Sequence, residues 1–192
     1  MHADFKTMKH YELEGDAHYL TFSCYRRIPL MSKDRSCQWF LDALRNARTK
    51  HDFHLWAWVI MPDHAHLLIW PQLKKYKMGP ILRSIKQPVG IRAIQYLRKH
   101  SPTFLRRLHV INKNRTYYRF WQPGGGYDGN EVEPAAIHEI IEYIHNNPVR
   151  AGLVQRAIDW KWSSAREWAG LDGIVLPVDR TVPLWLPGEG SK

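Results

Sequence analysis

Two strand-like segments joined by a tight turn limit most strongly what this chain can fold into. His54–Ile60 and His64–Trp70 have the length and the bulky side chains of strands, and Met61–Asp63 between them is typical of a turn. So short a connection predicts an antiparallel hairpin. Because strand side chains alternate between faces, His64 and His66 project from the same face of that hairpin.

The patterns around the hairpin predict an α+β fold, in which an antiparallel sheet carries helices on one face. In chain order we expect a half-buried strand at His18–Tyr25, a helix capped by Ser32 or Asp34 that runs to about Lys50, the hairpin, a helix within Gly79–Lys99 interrupted or kinked at Pro88, a strand at Arg115–Trp121, a helix at Pro134–Asn147 ended by Pro148, and a short helical segment near Ser163–Ala169. This β-α-β-β-α-β-α order is typical of α+β domains.

The charge of the chain is uneven and indicates a polyanionic partner. The formal net charge is +10, and residues 64–127 contain 13 Lys and Arg but no Asp or Glu. Aromatic side chains lie among these cations, which favours a nucleic-acid surface over a solvated basic loop, the alternative interpretation. Six cations of this segment are our candidate DNA contacts: Arg83, Lys86, Arg106, Arg107, Arg115 and Arg119.

The sequence also indicates where such a protein works. Its longest apolar run, Leu55–Met61, is far short of the roughly 20 residues of a membrane helix. We find no segment like a signal peptide, and Cys24 and Cys37 are expected to be reduced thiols. We therefore expect a cytoplasmic protein, associated with the nucleoid and not with a membrane.

Two further pairs of side chains suggest chemistry. His64 and His66, as neutral imidazoles on one strand, could begin a divalent metal site, although two ordinary histidines are the alternative. Tyr143 and Asn147 lie one above the other on the flank of an isoleucine-faced helix. Separately, they could be a boundary tyrosine and a helix cap. Together with the basic surface, they suggest phosphodiester chemistry with a tyrosine nucleophile.

Three motifs strengthen this hypothesis. W-V-I-M-P-D-H-A-H-L-L-I-W (Trp58–Trp70), Y-I-H-N-N-P-V-R-A-G-L-V (Tyr143–Val154) and W-S-S-A-R-E-W (Trp162–Trp168) resemble the REP-associated tyrosine transposases, which are single-tyrosine HUH transposases. The resemblance spans roughly residues 15–170. It implies a transposase domain over residues 1–170, with a ferredoxin-like sheet and the nucleophilic tyrosine on a C-terminal helix, followed by a C-terminal extension over residues 171–192.

The resemblance also implies an activity and a set of site residues. His64 and His66 correspond to the HUH ligands of Mg²⁺ or Mn²⁺, Tyr143 to the nucleophile, and Asn147 to a third, amide-type ligand. Asp63 stands where Asn is frequent and adds a carboxylate beside the histidines. The implied reaction is cleavage of single-stranded DNA near hairpins through a 5′-phosphotyrosine intermediate, with strand transfer. The implied partner is hairpin DNA, and the protein could be a monomer or a homodimer.

Two other functions remain open at this stage. A non-catalytic protein that binds hairpin DNA or RNA could have the same fold and the same basic surface. A hydrolase could instead use a metal-bound water held by the histidines, with Tyr143 in a structural role only.

Overall fold

The centre of the molecule is a sheet of four antiparallel strands. The computed structural model describes residues 14–112, 115–124 and 126–184, with Tyr127 described by its backbone. Its elements in chain order are β1 (Ala17–Ser23), α1 (Asp34–His51), β2 (Phe53–Ile60), β3 (His64–Pro71), α2 (Met78–His100), α3 (Pro102–Leu105), β4 (His109–Asn112), β5 (Arg115–Tyr118), β6 (Tyr127–Glu131), α4 (Pro134–Arg150) and α5 (Ala165–Trp168). The sheet order β2-β3-β1-β6 is ferredoxin-like, so the predicted fold class is confirmed.

Helices cover both faces of this sheet, where the sequence predicts helices on one face. On one face, α1 and α2 bury Phe40, Leu44 and Ile85 against Leu20 and Phe22 of β1. On the other face, α4 buries its isoleucine stripe (Ile137, Ile141, Ile144) against Trp56, Val59 and Leu68. The reason is visible in β2 and β3, whose side chains are buried at nearly every position. A strand buried at consecutive positions needs a packed layer on each side.

The fourth strand of the sheet is not the one that the sequence predicts. Arg115–Tyr118 pairs with His109–Asn112 in a separate two-stranded hairpin. The fourth sheet position belongs to β6, which pairs antiparallel with β1. The segment Asp128–Asn130 of β6 consists of residues that are depleted in strands, which is why the pattern there predicts no strand.

Two prolines, Pro88 predicted to interrupt or kink a helix and Pro148 predicted to end one, lie inside continuous helices. The helix α2 continues through Pro88, and α4 continues through Pro148 to Arg150. The side-chain amide of Asn147 helps α4 to continue through Pro148. Its Nδ2 atom donates to the Tyr143 carbonyl at 2.7 Å and reaches the Ile144 carbonyl at 3.5 Å. The Ile144 carbonyl is the helix acceptor that Pro148, which has no N–H, leaves without a backbone donor.

The helix α1 begins without a side-chain cap. Its N-cap residue is Lys33, and no side chain caps the helix, so the predicted Ser32 or Asp34 cap is wrong.

The chain after residue 170 packs on the sheet. Leu176 and Val178 are buried against the α1/α2 face. The division of the chain at residue 170 stays a prediction. Within the described part of the chain, no helix combines the length and the apolar composition needed to cross a bilayer.

Candidate active site

The two histidines of β3 lie together on the face of the sheet that α4 covers. Their ring centres are 4.8 Å apart. In the pairing of β1 with β3, Thr21 lies opposite His66, and Ser23 lies opposite His64. The hairpin and the shared face of the histidines are therefore as the sequence predicts. Both side chains are held by rigid sheet backbone and not by a loop, which suits a site that needs fixed geometry.

Each histidine makes hydrogen bonds through its Nδ1 atom. His64 Nδ1 donates to the Asp63 carboxylate at 2.7 Å, and the other Asp63 oxygen pairs with Arg27 Nε at 2.7 Å. His66 Nδ1 lies 2.7 Å from the Tyr19 hydroxyl and 2.8 Å from the Thr21 hydroxyl. When Nδ1 carries the proton and donates it to these oxygens, Nε2 keeps a lone pair that can bind a cation.

The Nε2 atom of His66 is the unusual feature of the site. Among the described residues, it is the buried side-chain nitrogen or oxygen that has no hydrogen-bond partner. Burial lowers the pKa of His66 to about 3, and it also lowers the pKa of His64. Both rings are therefore neutral at physiological pH. A buried polar atom left unpaired costs stability, and a metal ligand is one of the roles that account for it.

Tyr143 lies on α4 beside the His66 ring. Its ring centre is 5.9 Å from that of His66 and 6.0 Å from that of Tyr19, both in edge-to-face contacts. Tyr143 is 41% exposed, so the residue is open to solvent. The guanidinium carbon of Arg150 lies 4.8 Å from the centre of the same ring. The structure thus brings a phenol, two imidazoles and a cation to one place.

Asn147 lies one turn after Tyr143 on α4. Because its amide nitrogen donates to the helix, its carbonyl oxygen is the atom with which it would bind a cation. The described residues contain no group of three or more His, Cys, Asp or Glu side chains that could hold a metal ion. A cation here would therefore depend on the His64–His66 pair with an amide oxygen. The unpaired Nε2 of His66 is compatible with that role.

The predicted DNA contacts do not all share one surface. Arg83, Lys86 and Arg119 line a cleft of about 950 Å³ between α2 and the segment after β5, together with aromatic side chains such as Tyr117 and Trp121. Lys86 Nζ donates to the Gly124 carbonyl at 3.0 Å, and burial lowers its pKa to about 8.

The other three cations lie elsewhere. Arg115 begins β5 and lines a depression together with Asn112 and Tyr117. Arg106 and Arg107 are exposed on the turn after α3, and Arg107 lines a smaller cavity. Sequence spacing does not reveal this division, because it depends on how α2 and the β4–β5 hairpin pack.

Sequence reasoning missed three residues that touch the site. Tyr19 and Thr21 contact His66 only because β1 and β3 pair in one particular register. Arg150 reaches Tyr143 only because α4 continues past Pro148. The alternation of β1 could have placed Tyr19 and Thr21 on one face, and the spacing of seven residues could have suggested Arg150 once the helix end was known.

Comparisons with known proteins concern the fold and the family of the chain. The structure is similar to that of a REP-associated tyrosine transposase bound to a REP hairpin, with a TM-score of 0.66 and 21% identity, covering 95% of this chain and 99% of that one. A candidate transposase from Deinococcus radiodurans R1 aligns with a TM-score of 0.44 and 18% identity, covering 73% of this chain and 97% of that one. None of the curated proteins matches the sequence. The resemblance indicated by the motifs is confirmed. The profile of the IS200-like transposases matches residues 14–147, which is most of the chain, and the chain belongs to that family.

Proposed function

We propose that this protein is a REP-associated tyrosine transposase that cleaves single-stranded DNA beside a hairpin and transfers the cut strand. The observation that carries the proposal is the buried, unpaired Nε2 atom of His66, whose ring is in edge-to-face contact with that of Tyr143. A tyrosine hydroxyl and a cation site are what a phosphodiester transfer needs. The similar solved structure is of a protein bound to a REP hairpin, which supports hairpin DNA as the partner.

Tyr143 would act as the nucleophile. Its hydroxyl oxygen attacks the scissile phosphorus and loses its proton, a bond forms between phosphorus and the tyrosine oxygen, and the bond to the 3′ oxygen breaks. The leaving oxygen takes up a proton and becomes a free 3′-hydroxyl. The downstream strand remains attached through its 5′ phosphate. Attack on this linkage by another 3′-hydroxyl reverses the chemistry and completes strand transfer.

His64, His66 and Asn147 would hold Mg²⁺ or Mn²⁺. The chemistry that a divalent cation supplies at such a site is polarisation of the scissile phosphate. Asp63 orients the His64 ring, and the Tyr19 and Thr21 hydroxyls orient the His66 ring. Arg150 keeps the Tyr143 ring in place and puts a positive charge where the phosphate must approach.

The basic cleft beside α2 would hold the DNA backbone. Arg83, Lys86 and Arg119 place positive charge among aromatic side chains, a combination that suits a nucleic-acid strand. Arg106, Arg107 and Arg115 remain proposed contacts at separate places on the surface. The protein would act in the cytoplasm, at the nucleoid, as a monomer or a homodimer.

A covalent-adduct experiment tests the proposal. Hairpin DNA with a single-stranded flank is labelled at either end, incubated with the protein and Mn²⁺, and run on a denaturing gel. We expect the 3′-labelled strand to remain attached to the protein and the 5′-labelled piece to be released. Tyr143→Phe should abolish the adduct and keep hairpin affinity within a few-fold. Tyr25→Phe, which changes a buried tyrosine elsewhere, is the matched control.

The same gel separates the other two functions. Hairpin binding without any adduct in the unmodified protein would identify a non-catalytic binder. Multiple-turnover cleavage that survives Tyr143→Phe would identify a hydrolase in which the tyrosine is structural.

A further inference from the structure

The segment between β1 and α1 contains an unusual piece of backbone. Arg26 and Arg27 have φ angles of 54° and 55°, in the left-handed region that favours glycine. Among the described residues other than glycine, Asp52 is the remaining one with a positive φ, and it ends α1, where this conformation is common. Two adjacent arginines in this conformation are strained, and strain of this kind clusters at functional sites.

Backbone hydrogen bonds fasten this segment to the turn of the β2–β3 hairpin. The Cys24 N–H donates to the Asp63 carbonyl at 2.7 Å, and the Met31 N–H donates to the Pro62 carbonyl at 2.8 Å. The segment therefore lies against the hairpin turn at both of its ends, and the strained Arg27 lies between these anchors.

The guanidinium of Arg27 joins the end of β1 to Asp63. Its Nε donates to one Asp63 oxygen at 2.7 Å, and its Nη1 donates to Ser23 Oγ at 2.8 Å. The other Asp63 oxygen accepts from His64 Nδ1 at 2.7 Å. Because both carboxylate oxygens are engaged, Asp63 is held in the place where it orients the imidazole.

The exposure of the Arg27–Asp63 pair argues against a large contribution to folding. The side chain of Arg27 is 58% exposed, and that of Asp63 is 22% exposed. Ion pairs this open to solvent contribute little to stability, because water and salt screen them. The pair therefore does not offset the strain of the backbone that carries it, and a role in the site accounts for the strain better.

We propose that Arg27 is a positioning residue of the metal site, which holds Asp63 so that the carboxylate fixes the His64 ring with its Nε2 lone pair free for the cation. The inference rests on the proposed function, because His64 is a ligand only if the site binds a cation. Groups behind a ligating histidine set its tautomer and its ring orientation, and Arg27 would do this through Asp63. The strained backbone is then a loss of stability that the site requires.

Two adjacent glycine variants test the proposal. Arg26→Gly and Arg27→Gly both relieve a positive φ, but only Arg27→Gly removes the guanidinium from Asp63. Each protein is titrated with Mn²⁺ by calorimetry in the absence of DNA. We expect Arg27→Gly to weaken Mn²⁺ binding about tenfold and to leave Tm unchanged or higher, and Arg26→Gly to keep the affinity. An affinity that is unchanged or tighter in Arg27→Gly would overturn the proposal, and so would a fall in Tm that accompanies the loss of affinity.

The sign of the effect separates positioning from charge. Removal of a positive charge near a divalent site would by itself strengthen cation binding, so weaker binding requires another cause. Arg27→Lys keeps the charge but loses the planar group that donates to Asp63 and Ser23 together, and it should also weaken Mn²⁺ binding. In an Asp63→Ala background, Arg27→Gly should cause no further loss, because the two residues act in series. A full additional loss there would overturn the proposal.

A spectroscopic measurement on the metal-free protein keeps this test apart from the test of catalysis. Long-range ¹H–¹⁵N spectra report which ring nitrogen of His64 carries the proton. We expect the Nδ1–H form in the unmodified protein and in Arg26→Gly, and a mixture of both forms in Arg27→Gly. The same spectrum in all three proteins would overturn the proposal even if the adduct gel supports the transposase. A changed spectrum with weaker Mn²⁺ binding would support Arg27 even if no adduct forms.

Discussion

The guanidinium carbon of Arg150 lies 4.8 Å from the centre of the Tyr143 ring, seven residues earlier on the same helix. This contact exists because α4 continues for two residues beyond Pro148. It places a cation beside the phenol that we propose as the nucleophile. Arg150 is therefore suited both to keep the ring in position and to meet the charge of an incoming phosphate.

The first prediction concerns this arginine. Arg150→Ala should slow adduct formation by about 10²-fold, because a fixed cation that stabilises developing charge is lost. DNA affinity should change only a few-fold. The check is a single-turnover rate on a normal hairpin and on one with a neutral methylphosphonate at the scissile linkage. The effect of the substitution should shrink on the neutral linkage, and an equal effect on both would contradict a phosphate contact. Arg45→Ala, on an exposed face of α1, is the control.

The second prediction concerns metal binding. His64→Ala and His66→Ala should each lose Mn²⁺-dependent cleavage, since one imidazole is a poor divalent site. Asp63→Ala should weaken Mn²⁺ binding by about 10- to 100-fold, because the His64 ring loses the carboxylate that orients it. Calorimetry or electron paramagnetic resonance gives the affinity, and Mn²⁺ should bind more tightly than Mg²⁺. Full activity in EDTA would contradict the metal site.

The third prediction concerns pH and Lys86. Burial lowers the pKa of Lys86 to about 8, so its positive charge is present at pH 7 and is mostly lost by pH 9. Affinity for hairpin DNA should therefore fall between pH 7 and pH 9. Comparison with the Lys86 variants separates this fall from the titration of other groups. Lys86→Arg keeps the charge and should flatten the pH profile, while Lys86→Met should weaken binding at pH 7 and also flatten it. A profile that is the same in all three proteins would exclude Lys86 as a contact.

The fourth prediction concerns salt. If about five cations contact phosphates of a single strand, log K should fall with log salt with a slope of roughly −3.5. Neutralising Arg83 and Arg119, which share the cleft, should make that slope shallower by about 1.4. Neutralising Arg45 and Arg156, which lie outside the acid-free segment, should leave the slope as it is. Filter binding at four salt concentrations measures it, and an unchanged slope in the cleft variant would place the DNA elsewhere.

The sequence predicts those parts of the fold and the site that local patterns encode. The β2–β3 hairpin, the paired faces of His64 and His66 and the helix that carries Tyr143 all follow from spacings within a few residues. The edge strand Tyr127–Glu131 could not be predicted from its own residues, because pairing with β1 stabilises it.

Long-range contacts limit the prediction of the site in the same way. The contacts of Tyr19 and Thr21 with His66 join residues more than 40 positions apart, and no local pattern fixes the register that makes them. The separation of Arg83 from Arg106 and Arg107 likewise depends on tertiary packing. The sequence alone therefore predicts the type of chemistry at the site. It does not predict which side chains contact the candidate metal ligands.

The hydrogen bond from the Asn147 side chain to the Tyr143 carbonyl restricts which residues position 147 can accept. The bond fixes the rotamer of the amide before any ion arrives, so binding an ion there would cost little conformational entropy. An aspartate would offer a stronger ligand for a hard cation, but it cannot donate to a carbonyl. Its charge would also meet the negative end of the helix dipole in the last turn of α4. The chemistry of the helix end thus disfavours a carboxylate at a place where a metal site alone would prefer one.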